Sequence, residues 1–203
     1  MKIGLFGGTF DPIHLGHVDM IKQLCDHMAL DKVYFIPAYI PPHKHKLHMT
    51  SYFHRLTMVQ LAVKEERMFE VSEFESQRTK PSYTIHTVEH FKREFPEDQL
   101  FYIMGVDAFN SIEEWHHWQE LLRMTNFIVI DRPHKTLSVS KETSDVLKES
   151  SYEVFYLPLH TLPISSTMIR ERLTQHESVK EYLNNSVSQY ISENHLYQQE
   201  ENQ

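Results

Sequence analysis

Six apolar runs of three to five residues, at 2–6, 33–37, 69–71, 100–104, 126–130 and 153–157, recur along the whole chain. Between and after them lie longer stretches whose apolar residues return at helical spacing: 17–28, 52–64, 83–95, 112–124, 140–149, 166–175, 179–183 and 186–194. The short runs are nearly continuous rather than alternating, the pattern of strands covered on both faces. Strand, helix and strand in repeated succession require parallel pairing, right-handed crossovers and a doubly wound α/β sheet. The last three helical stretches form a C-terminal helical segment. Internal repeats and low-complexity linkers are absent from the sequence, so one domain covering 1–203 is expected, with the polar tail 198–203 fraying. Such sheets bind ligands beyond the carboxyl ends of their strands. The informative loops are therefore 7–17, 37–50, 105–118, 131–135 and 158–166.

Glycine use sharpens that expectation. The chain has 203 residues and 5 glycines, and Gly4, Gly7, Gly8 and Gly16 fall within the first sixteen residues. Glycine serves where the backbone needs positive φ or where another group approaches it closely, which marks the first loop as a ligand site. The remaining composition mostly excludes. A formal net charge of −8 argues against nucleic-acid binding driven by phosphate contacts. The charge is uneven, because residues 1–60 hold 6 basic and 4 acidic side chains, and a mildly positive N-terminal third in an acidic chain suits a small anion. No apolar run reaches membrane-spanning length, and 3–6 is too short for a signal-peptide core. The single cysteine, Cys25, excludes an internal disulfide framework and fits a reduced, cytoplasmic compartment as a small apolar helix residue.

Five motifs fall in or beside the informative loops. Gly7-Gly8-Thr9-Phe10-Asp11-Pro12-Ile13-His14-Leu15-Gly16-His17 follows the first strand and opens a helix. That arrangement presents free amides and the positive end of a helix dipole to an anion. His14 and His17, three apart, share a helix face, and Gly16 between them admits close approach. Pro41-Pro42-His43-Lys44 follows the second strand, with two stiffening prolines and a phosphate-seeking cation, Lys44. Pro81-Ser82-Tyr83-Thr84 reads as a helix start with Ser82 as N-cap. Gly105-Val106-Asp107 sets a carboxylate just past a strand end, where a ribose hydroxyl is often held. In Trp115-His116-His117-Trp118 the first indole is placed to stack on a flat ring, whereas Trp118 is expected to pack its helix onto the sheet. Finally, Ile164-Ser165-Ser166-Thr167-Met168-Ile169-Arg170 opens a helix with serines and adds an arginine one turn in.

The first motif resembles the signature of nucleotidyltransferases related to class I aminoacyl-tRNA synthetases. All five motifs, in this order, resemble the bacterial nicotinate-nucleotide adenylyltransferase family over nearly the whole chain. The resemblance implies a Rossmann-like doubly wound α/β fold. It implies adenylyl transfer from ATP, bound with Mg²⁺, to nicotinate mononucleotide, giving deamido-NAD and pyrophosphate in NAD biosynthesis. It further implies that His14 and His17 stabilise the transferring phosphoryl group. Gly7 and Gly8 belong to the phosphate-binding turn, Thr9, Phe10 and Lys44 hold phosphates, and Ser165, Ser166 and Arg170 hold the triphosphate. Gly105 and Asp107 contact the adenosine portion, Trp115 stacks on the pyridine ring, and backbone amides near Thr84 and His116 receive the nicotinate carboxylate. Lys80 stands where the family often has glycine and His86 where it often has an acid. The implied partners are the two small substrates, with no nucleic acid and no membrane, in a monomer or homodimer.

Competing readings remain at this level. A sister transferase would accept nicotinamide mononucleotide, phosphopantetheine or a glycerol phosphate. The 15 histidines, His43, His45, His48 and His54 among them, raise a metal hydrolase or metal-binding module. A third reading is a nucleotide-binding module without catalysis, against which the retention of His14, His17, Lys44 and Arg170 counts.

Overall fold

The protein is described by a computed structural model covering residues 1–41, 49–77, 81–131, 135–159 and 162–198. Strands β1 (Lys2–Gly8), β2 (Lys32–Pro37), β3 (Phe69–Val71), β4 (Gln99–Gly105), β5 (Asn126–Ile130) and β6 (Val154–Leu157) form one sheet in the order β3-β2-β1-β4-β5-β6. Every adjacent pair is parallel. The order reverses between β1 and β4, which makes their carboxyl ends the switch point of a doubly wound sheet.

Strand alternation sends successive side chains to opposite faces. Phe6, Val33, Phe35, Phe101 and Ile103 pack on one face, with α1 (Leu15–Met28), α2 (Tyr52–Val63), α7 (Ser166–Thr174) and α8 (Asn185–Glu193). Ile3, Leu5, Tyr34, Ile36, Tyr102 and Met104 pack on the other. That face is covered by α3 (Thr84–Glu94), α4 (Val106–Asn110), α5 (Trp118–Leu122) and α6 (Lys141–Glu149). Aromatic contacts at 5.3–5.4 Å run Phe6–Phe10 and Phe6–Phe35, both edge-on, and Phe35–Phe69, tilted, so the loop after β1 shares the core of the first face.

Three helices differ from the sequence expectation. The single helix expected over 112–124 is a 3₁₀ turn, Ile112–Glu114, followed by α5; an unexpected helix, α4, precedes them. His117 adopts left-handed backbone (φ 52°) and Trp115 is extended, which interrupts the helical run. Ile112, Leu121 and Leu122 are all buried, although nine residues at about 100° each would put Ile112 and Leu121 on opposite faces of one continuous helix; the break brings both to the core. Residues 179–183 form turns, not a helix, although Val179 and Leu183 are buried. The first helix begins at Leu15 rather than at residue 17, with His14 at its N-cap. As expected, Trp118 packs against the second core face.

Candidate active site

A cavity of about 850 Å³ opens at the switch point. That is in the upper part of the range usual for small-molecule sites, about 300–1,000 Å³. Every sequence-predicted site residue among the described residues lines it except Asp107. Lys44 lies outside the described residues, as do His43, His45, His48 and Lys80. Asp107 is exposed on the first turn of α4, paired with Lys135 at 3.4 Å, and is not among the lining side chains.

At the centre sits the histidine pair. The two rings stack with centroids 3.6 Å apart, and the His14 amide donates to His17 Nδ1 at 3.3 Å. Because Nδ1 accepts, a neutral His17 ring carries its proton on Nε2. Phe10 sets its ring edge against His17 at 5.4 Å, and its own backbone is left-handed (φ 50°). With its side chain only 3% exposed, Phe10 buttresses a histidine, and only its backbone is free to face a phosphate.

The glycines here answer to space rather than to conformation, since none has positive φ. A Cβ on Gly16 would come within 3.1 Å of His14 Nδ1, so any other residue there would push that ring aside by a few tenths of an ångström. A Cβ on Gly7 would collide with the hydroxyl of Tyr102. Tyr102, which sequence reasoning missed, stands on the cleft floor 3.2 Å from Thr84 Oγ1, and burial pushes its hydroxyl pKa up to about 12.

Positive potential comes chiefly from backbone. The N-termini of α1, α3 and α7 all line the cavity through His14 to His17, Tyr83 and Thr84, and Ser165 to Thr167. Each contributes roughly half a positive charge. The serine hydroxyls themselves are already engaged. Ser165 Oγ caps α7 by accepting from the Met168 amide (3.1 Å), and Ser166 Oγ donates to the Pro12 carbonyl (2.9 Å). Arg170 Nη1 donates to the Asp11 carbonyl (2.7 Å), which welds α7 to the first loop. Ser82 is not an N-cap; Tyr83 holds that position, while Ser82 Oγ accepts from the amides of Tyr39 and Ile40 and ties α3 to the loop after β2.

One side of the cavity is aromatic. Trp115 is partly buried and meets Tyr102 edge-on at 6.2 Å. His116 stacks on Tyr83 at 4.3 Å. Partial desolvation, with His117 and His86 nearby, lowers the His116 pKa. The other side is lined by Gly105, Ala108, Ile130, Asp131 and Ile164, with Asp131 accepting from the Tyr156 hydroxyl at 2.6 Å.

Beneath the loops lies Arg55, fully buried and unanticipated. Its Nη1 donates to the carbonyls of Thr9 (2.7 Å) and Ala38 (2.9 Å), its Nε to that of Thr50 (3.0 Å), and its Nη2 to that of Tyr39 (3.5 Å). One guanidinium thus binds the loop after β1 to both ends of the loop after β2. Among the described residues, no cluster of three or more His, Cys, Asp or Glu could hold a metal ion, and no helix is long and apolar enough to cross a membrane.

A glycine-rich turn at the switch point of this sheet, carrying a stacked histidine pair, marks a protein of the cytidylyltransferase-like class, and the sequence profile of that description matches residues 5–172. Relatives narrow the class. The nicotinate-nucleotide adenylyltransferase of Bacillus subtilis (strain 168) is 36% identical over 197 residues, spanning 97% of this chain and 98% of its own. The probable nicotinate-nucleotide adenylyltransferase of Bacillus pumilus is 38% identical over the same length, again covering 97% and 98%. In fold, the chain resembles the nicotinic acid mononucleotide adenylyltransferase of Plasmodium falciparum solved with NaAD, at a TM-score of 0.76, 21% identity and 97% coverage of both chains. The chain belongs to the nicotinate-nucleotide adenylyltransferase family, a family of nucleotidyltransferases.

Proposed function

We propose that this cleft transfers the adenylyl group of Mg·ATP to nicotinate mononucleotide, releasing pyrophosphate and deamido-NAD. The observation that carries the reading is the seating of His14 and His17 against Gly16 where three helix N-termini converge on one cavity. A phosphate monoester is largely ionised near pH 7, with a second pKa of about 6, so the acceptor needs no general base. Its oxygen attacks the α-phosphorus in line as the bond to pyrophosphate breaks. The protein's task is to align two mutually repelling anions and to neutralise charge gathering at the α-phosphate. His17 offers an Nε2 proton there, His14 supports that ring by stacking, and Arg170 with the α7 amides meets the leaving phosphates. Lys44 is proposed as a further phosphate cation. Asp11, the only carboxylate between residues 7 and 17, is already occupied by protein donors. Magnesium bound with the nucleotide phosphates would offset their charge, and Glu114 and Asp131 are the further carboxylates among the described residues that line the cavity.

Adenosine is assigned to the side lined by Gly105, Ile130, Asp131 and Ile164, and the pyridine ring to Trp115. The nicotinate carboxylate then meets the N-terminus of α3 at Thr84 and the backbone at His116. The reading includes a cytoplasmic reaction, consistent with the single buried thiol of Cys25, in one domain acting as a monomer or homodimer. The test is pyrophosphate release with ATP and four acceptors: nicotinate mononucleotide, its amide, phosphopantetheine and a glycerol phosphate. Nicotinate mononucleotide is expected to give the highest kcat/KM; a higher value with any other acceptor refutes the substrate assignment.

A further inference from the structure

Asp11 is the junction of three segments that are remote in sequence. The residue is only 6% exposed, a placement that is costly for a carboxylate unless donors surround it. The donors come from outside its own loop: the Tyr197 hydroxyl reaches Oδ1 at 2.7 Å and the Thr50 amide reaches Oδ2 at 3.3 Å. Arg170 holds the Asp11 carbonyl, Ser166 holds the next carbonyl at Pro12, and Arg55 holds the carbonyls of Thr9 and Thr50 on either side. The first loop, the end of the second loop, the α7 N-terminus and the C-terminal segment therefore meet at one buried carboxylate. Tyr197 adopts a left-handed backbone (φ 63°) just beyond α8, turning the chain back toward this junction. Burial and the neighbouring Asp11 raise the Tyr197 pKa, so its hydroxyl stays protonated as the donor across the working pH range.

We propose that Tyr197 is a positioning residue for the donor-nucleotide end of the cleft, acting through Asp11 on the 9–12 loop and on Arg170. The inference rests on the proposed reading of the cleft as the ATP site. Tyr197 touches no reacting atom. Its hydroxyl fixes the carboxylate whose backbone anchors Arg170, so its loss shifts the groups facing the triphosphate. The aromatic side of the cavity hangs on α3 and on the 112–118 turns, and reaches this junction only indirectly, through Ser82, the loop after β2 and Arg55.

The test is Tyr197→Phe, with steady-state kinetics in each substrate and thermal unfolding in parallel. Loss of a hydrogen bond to a charged partner is expected to raise KM for ATP about five- to tenfold, with KM for the acceptor within about twofold of wild type. Tyr190→Phe is the control, because it removes a hydroxyl from the same C-terminal region that bonds His54 Nδ1 at 2.9 Å, away from Asp11. It is expected to leave both KM values unchanged. An unaltered KM for ATP in Tyr197→Phe, whether or not the unfolding midpoint falls, overturns the proposal, as does an equal rise in both KM values. Wild-type protein that consumes no ATP overturns the functional reading and this inference with it.

Discussion

Replacing Gly16 by alanine separates stability from catalysis. Gly16 lies in the first turn of α1 with ordinary helical backbone, and alanine is favoured over glycine in a helix by about 1 kcal/mol. Against that gain, the new Cβ stands 3.1 Å from His14 Nδ1 and 3.2 Å from Cε1. Comfortable contact begins near about 3.5 Å, so the ring must retreat by roughly 0.3–0.4 Å. It cannot retreat freely, because it already stacks on His17 at 3.6 Å. The two terms nearly cancel in stability, and the variant is expected to unfold within about 1 kcal/mol of wild type. Catalysis has no such compensation. A misplacement of about 1 Å can cost roughly 10²-fold, so a shift of about 0.3–0.4 Å is expected to lower kcat about 4- to 6-fold. Urea unfolding and pyrophosphate-release kinetics on the same preparation check both halves. Wild-type kcat in a stably folded Gly16→Ala protein refutes the claim that this glycine exists to seat the histidine pair.

Other consequences are as specific. His17→Ala is expected to lower kcat about 10²–10³-fold, the scale of one preorganised donor, with little change in KM; near-normal turnover removes His17 from the chemistry. Gly7→Ala should destabilise the protein through collision with the Tyr102 hydroxyl, and Tyr102→Phe should relieve it. A double-mutant cycle by urea unfolding is expected to show a favourable coupling of about 1–2 kcal/mol, and strict additivity contradicts the packing described. Burial pushes the Cys25 thiol pKa from 9.0 to about 11. The native state therefore retains a proton that the unfolded chain releases above about pH 9, and stability should fall as pH rises from 9 toward 11, less so in Cys25→Ala. The same thiol should ignore a disulfide reagent at pH 8 in the folded protein and react with one equivalent after denaturation.

The sheet and the histidine turn were legible because their signals are local. A continuous apolar run is visible in five residues, and the first loop carries its glycines and histidines within eleven. What escaped notice depends on partners distant in sequence. Arg55 sits amid ordinary helix residues of α2, and nothing nearby announces the carbonyls of Thr9, Ala38 and Tyr39 that make its burial tolerable. Tyr197 borders a polar tail and acquires meaning only through Asp11, 186 positions away. Ser82 carried a sound capping pattern, yet its hydroxyl went to the loop after β2, a tertiary choice overriding a local one. Asp107 lies past a strand end as its position in the sequence suggests, on the short helix α4 directly after β4, exposed beside Lys135. The break between Ile112 and α5 was hidden because apolar residues that become buried lie on both sides of it, and that break presents Trp115 and His116 to the cavity.

The central claim is a single in-line transfer between two substrates aligned by the histidine turn, with no covalent adenylyl-enzyme. The most direct test uses ATP made chiral at the α-phosphorus by sulfur substitution, followed through to the dinucleotide product with nicotinate mononucleotide as acceptor. One displacement predicts inversion of configuration at that phosphorus; retention, the mark of two successive displacements through the enzyme, would contradict the account.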